Sequence, residues 1–156
     1  MEISIKKLKE YVGVNGKYVK NHGNLFNVDR HNPEEDYVIV NGNYVIVVDK
    51  NAIQYDSTIK EVSVMKRMEE DAEQAHDVKY LETKYLENRK ITVCIFGTEE
   101  NEIWINATFF KEFINKAFNK EKGFAKGITF TGTDKKNPVM MWYDDELAGY
   151  FLPIYH

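Results

Sequence analysis

The sequence predicts an α+β domain, and three observations predict it. Apolar residues recur at helical spacing in three stretches, β-branched runs bounded by turn residues fill the space between them, and the last third reads strand, helix and three strands. The chain has 156 residues, of which 43% are apolar and 13% aromatic, with three Pro and nine Gly. That composition supplies one core and is too apolar for a disordered chain. One domain is expected over 1–156, with an N-terminal half at 1–56, a helical connector at 57–90 and a C-terminal half at 91–156.

Taken in order, Ser4 is placed to cap a short helix on which Ile5, Leu8 and Val12 share a face, with Lys6, Lys7, Lys9 and Glu10 outside it and Gly13 ending it. Strands are expected at 17–20 and 25–28. A hairpin follows at 37–41 and 44–49, because Asn41-Gly42-Asn43 tolerates the positive φ angles of a tight reversal and β-branched residues fill both flanks. A further strand is expected at 52–55. Thr58 and Glu61 form a candidate capping box, and Ile59, Val62, Met65, Met68, Ala72 and Ala75 then recur at helical spacing, predicting a helix over 58–76. Val78, Leu81 and Tyr85 extend this as a second helical or irregular segment, before a strand at 91–96.

The C-terminal third reads as a strand at 102–106, a helix at 107–119 and strands at 128–131, 139–143 and 149–155. Asn106 is the N-cap, and Phe109, Phe110, Phe113, Ile114, Ala117 and Phe118 make a wide apolar stripe that must face a sheet. Lys111, Asn115, Asn119 and Lys122 take the opposite face. Residues 134–138 and 144–146 are turn-forming and polar, as hairpin loops are. The N-terminal part follows the same plan of helix then strands, although no residue-by-residue repeat relates the halves.

Charge and motifs exclude several function classes. There are 21 Lys and Arg against 25 Asp and Glu, a net charge of −4, so no global field draws the chain to nucleic acid or anionic lipid. Apolar runs such as 91–97 are too short to cross a bilayer, and the first residues lack a secretory apolar region, so a cytoplasmic protein without membrane contact is expected. Cys94 is the single cysteine and lies in Ile-Thr-Val-Cys-Ile-Phe-Gly, where it reads as a buried small hydrophobe. His22, His31, His76 and His156 are scattered, with no zinc-type spacing, and no phosphate-binding loop or nucleophile elbow is present. Asp144-Asp145 and Glu34-Glu35-Asp36 sit in turn contexts where carboxylates are commonplace. The expectation is a non-enzyme without cofactor or metal. Trp104 and Trp142, each in an apolar run, are expected in the core.

The stretch 103–155 contains Ile-Trp-Ile-Asn-Ala-Thr-Phe-Phe, then Gly-Ile-Thr-Phe-Thr-Gly, then Asn-Pro-Val-Met-Met-Trp-Tyr-Asp-Asp-Glu, then Ala-Gly-Tyr-Phe-Leu-Pro-Ile-Tyr-His. In order and spacing this resembles the end of the C-terminal domain of the bacterial DNA polymerase III β sliding clamp. Tyr155-His156 departs from the Arg-Leu ending usual in that family. The resemblance implies a single clamp-like domain of two βαβββ-like halves, and a terminal apolar groove at Leu152, Pro153, Ile154 and Tyr155 for short linear motifs of replication proteins. It also implies a helix face, here Lys6, Lys7, Lys9, Lys111, Asn115 and Lys122, that meets the backbone of double-stranded DNA without reading its sequence. One domain is shorter than a clamp subunit, so a ring would need a homo-oligomer. The alternative is a small phage- or plasmid-type regulatory protein that binds one host protein without DNA, through an aromatic surface.

Overall fold

The structure, a computed structural model, describes residues 26–40, 42–50, 60–98, 100–113, 128–143 and 145–156. Strands β1 (Phe26–Asp29), β2 (Glu35–Val40), β3 (Tyr44–Asp49) and β4 (Lys60–Glu61) precede helix α1 (Lys66–Gln74). Strands β5 (His76–Asp77), β6 (Tyr80–Leu86), β7 (Ile91–Thr98) and β8 (Asn101–Asn106) lead to helix α2 (Ala107–Glu112), and β9 (Ile128–Gly132), β10 (Val139–Tyr143) and β11 (Glu146–Phe151) close the chain. Eight strands form one sheet in the order β4-β1-β2-β3-β11-β10-β9-β5, and β6-β7-β8 form a second. Among the described residues the fold is therefore mostly β. This corrects the α+β expectation of two paired helix-plus-strand halves with a helical connector: the connector itself supplies strands to both sheets.

Local chemistry explains the parts that were anticipated. Gly42 adopts φ +66° at the β2–β3 reversal, the region that glycine enters without steric cost. The β2–β3 ladder then runs from Val40↔Tyr44 to Glu35↔Asp49. Both strands are buried along nearly their whole length, which is why they read as continuous apolar runs rather than alternating ones. Asn106 caps α2, its side chain accepting the Thr108 N–H at 2.8 Å. The β8-α2-β9-β10-β11 order matches the expected strand, helix and three strands, with the last strand ending at Phe151. Residues 152–155, expected to continue it, run on as a tail.

The connector departs most. Helix α1 occupies only 66–74; Glu61, the expected capping residue, lies in β4, which pairs parallel with β1. The first turn is served from elsewhere in the chain: Asp29 Oδ2 accepts the Val64 and Met65 N–H groups, each at 2.9 Å. Val78, Leu81 and Tyr85 belong to no helix face, because β6 pairs antiparallel with β7 from Leu86↔Ile91 to Tyr80↔Phe96. The expected helix at 4–12 and strands at 17–20 and 52–55 lie outside the described residues.

The large sheet is covered on both faces. Tyr44, Ile46, Phe96, Ile103, Phe110, Phe113 and Phe151 belong to the larger cluster, between that sheet and the small sheet with α2. Tyr37, Val45, Val47, Met140 and Tyr150 pack on the other face against Met65 and residues of α1. Met65 is fully buried there, in a packing role. Cys94 is buried, and burial pushes its thiol pKa up, as an inert core cysteine requires. Trp104 and Trp142 are only half-buried, at variance with a core placement. No helix among the described residues is long and apolar enough to cross a membrane.

Candidate functional site

Residues 152–156 bridge the two sheets. Leu152 N–H donates to Asn43 O at 3.1 Å on the large sheet, and two residues later Ile154 N–H donates to Trp104 O at 2.7 Å on the small one. Between them Pro153 forms an isolated antiparallel bridge with Ile105. Proline has no N–H to offer, so an edge position with a single bridge suits it. Beyond this point Arg89 Nη1 donates to Tyr155 O at 2.8 Å, and the His156 ring stacks on Trp104 with centroids 3.8 Å apart and planes 8° from parallel.

At this seam lies a cleft of about 230 Å³ whose wall combines Leu152, Pro153 and Ile154 with Ile105, Phe109 and Phe151 and with the polar Asn43 and Asn106. Three of the four residues assigned to a terminal groove from the sequence thus fall on one concave surface. The fourth, Tyr155, is exposed. Of the residues assigned to a DNA-facing helix surface, Lys111 is described and exposed in the last turn of α2. Lys6, Lys7, Lys9, Asn115 and Lys122 lie outside the described residues.

A second cluster, missed in the sequence, joins β1, β2 and α1. Asp29 is fully buried and its Oδ1 lies 2.5 Å from His31 Nδ1, while His31 Nε2 meets Glu69 of α1. Asn32 Nδ2 donates to Glu69 Oε2 at 3.3 Å and to the Tyr37 hydroxyl at 3.1 Å. Nearby, buried Asp36 meets Lys50 Nζ at 2.8 Å and Arg30 at 3.4 Å, and Lys50 also donates to the carbonyls of Arg30 and Asn32. Burial pushes the Asp29 carboxyl up, but hydrogen bonds from His31, Met65 and Val64 outweigh it and leave the pKa below the ordinary carboxylate value. His31 is raised, chiefly by its hydrogen bond to Asp29, with burial opposing and the charges of Asp29 and Glu69 adding.

With a carboxylate on each ring nitrogen, His31 has no lone pair turned to a substrate, so this arrangement fastens α1 to the sheet rather than abstracting protons. Asp29-x-His31 two residues apart around a strand end was visible in the sequence, but its partner Glu69 is far along the chain. Among the described residues no group of His, Cys, Asp and Glu is arranged to hold a metal ion. Comparison with protein-family models, with curated proteins and with solved structures gives no match for this chain.

Proposed function

We propose that the protein is a non-enzymatic binding module whose 152–154 cleft receives apolar side chains of a short linear motif, of the replication-protein kind that the C-terminal resemblance implies. The observation that carries the reading is the convergence of Leu152, Pro153 and Ile154 with Ile105, Phe109 and Phe151 on one cleft at the seam of the two sheets. Its size supports a peptide: about 230 Å³ is below the roughly 300–1,000 Å³ of small-molecule sites and suits two or three side chains. The tail's own N–H groups at Leu152 and Ile154 are already bonded, so recognition falls to side chains. Contact with the DNA backbone is the second half of the proposal, resting on Lys111 and on Lys6, Lys7, Lys9, Asn115 and Lys122.

Fluorescence anisotropy separates these halves. A labelled peptide with alternating Leu and Phe is expected to bind in the micromolar range and to lose about tenfold in affinity with Ile154→Ser, the cost of about one buried apolar side chain. Lys111→Glu is expected to leave that binding unchanged while weakening a short duplex at low salt and lowering its salt dependence. Peptide binding with no response to duplex would leave the alternative, one protein partner without DNA. Absence of peptide binding would remove the reading.

A further inference from the structure

Strand β6 is the outer strand of the three-stranded sheet, and among the described residues no strand pairs with its far side. Residues 80–85 are all exposed, Leu81 at 41% and Tyr85 at 57%. An exposed edge of this length and apolarity is a template for another strand unless its side chains forbid one. Here the side chains select one. Residues 79–87 read Lys-Tyr-Leu-Glu-Thr-Lys-Tyr-Leu-Glu, the unit Lys-Tyr-Leu-Glu written once on each side of Thr83.

We propose that β6 pairs antiparallel with β6 of a second copy of this chain, about a two-fold axis through Thr83, joining the two small sheets into one continuous sheet. A direct repeat becomes complementary when one copy is reversed against the other. Glu82 then opposes Lys84 of the second copy and Lys84 opposes its Glu82. The pairing is confined to this central stretch, because the register shift between Tyr80 and Glu82 takes the residues before Glu82 out of the regular alternation. Each of the two central charges thus meets its opposite, a pairing that stabilises cross-strand neighbours. The register is specific, because moving the axis one residue either way sets Glu82 against Glu82 or Lys84 against Lys84. Lysine on an edge ordinarily deters strand addition; a matched glutamate turns that deterrent into selection for an identical edge. The central pairs 82 to 84 therefore set the alignment. Such a contact is isologous and closes at two copies.

Sedimentation velocity on the intact chain, from about 1 to 200 μM, tests this, since a specific dimer of modest interface falls in the micromolar range. The wild-type chain is expected to dimerise. Glu82→Lys alone, or Lys84→Glu alone, sets like charges opposite at both symmetry-related positions and is expected to weaken the dimer by about tenfold or more. The double reversal restores opposite charges and is expected to restore the dimer. Both side chains are exposed, and near-UV circular dichroism checks that each variant is folded. As a second readout, a mixture of the Glu82→Cys and Lys84→Cys proteins is expected to cross-link between chains under mild oxidation faster than either protein alone. Directly opposed strand residues lie about 4.5–5.5 Å apart, within disulfide reach. Thr83 itself is avoided because its Oγ1 lies 3.8 Å from Cys94 Sγ. A wild-type monomer at the top concentration overturns the proposal, as does a dimer indifferent to the single reversals, or a folded double reversal that stays monomeric.

Discussion

The β2–β3 hairpin and strand β6 are strands of similar length with opposite surroundings. In the hairpin, Val38, Val40, Tyr44 and Ile46 are fully buried and their neighbours fill the opposite face. In β6 almost every side chain meets water. The hairpin is a strand because its residues suit nothing else, being β-branched, apolar and joined by an Asn-Gly turn. β6 is a strand because β7, a far stronger strand former, lies beside it and fills its hydrogen bonds on one side. The difference teaches that strand identity arises by intrinsic preference in one place and by recruitment in the other, and that burial rather than conformation sets what each residue contributes.

Mutation can break that contrast. The largest effect is expected for Ile46→Ala, which empties a fully buried position and costs about 2–5 kcal/mol, against less than about 0.5 kcal/mol for the exposed Leu81→Ala. Urea denaturation of both variants checks it, and similar losses would show that β6 is packed more tightly than its exposure indicates. Asp29→Asn asks whether a buried charge follows the same rule. Asn keeps one acceptor for the Val64 and Met65 N–H groups but loses the ionic contact to His31, so about 1–3 kcal/mol is expected, read in the same titration.

A smaller, pH-dependent effect follows from His31, whose ring faces Asp29 of β1, Glu69 of α1 and, with centroids 5.9 Å apart, Tyr37 of β2. Its folded pKa is raised, so its contribution is fully present below the unfolded value of about 6.5 and is lost as pH rises through the folded value. Asp29, with a lowered pKa, contributes above about 3.9, and that contribution is lost as pH falls through its folded value. Thermal melts of the wild type are therefore expected to lose stability as pH rises above about 6.5, and His31→Gln is expected to flatten that limb. A small effect is also expected at the tail: Arg89→Ala removes one exposed hydrogen bond to Tyr155 O, for about 0.5 kcal/mol in the same melts.

What was legible in the sequence is what neighbouring residues decide among themselves. The reversal at Gly42, the Asn106 cap and the 139–143 strand each rest on a side chain or backbone preference acting within a few residues, and each stands in the structure. Residues 152–154 line a cleft with Ile105 and Phe109 only through the pairing of tail and β8, a contact no local pattern announces. The 58–76 helix was overextended because helical spacing at Ile59 and Val62 says nothing about β1, which takes Lys60 and Glu61 into a parallel ladder.

By itself the sequence determined the turns, the cap, the buried character of Cys94 and the strands whose apolar runs admit no other conformation. Only the tertiary structure decided that the described residues are mostly β, that 76–77 and 80–86 join different sheets, and that Asp29 serves the start of α1. The physical reason is range: propensity and capping act over about one turn of chain, whereas ladder hydrogen bonds and buried charges are satisfied by whichever residues the fold brings close, and those lie tens of positions apart.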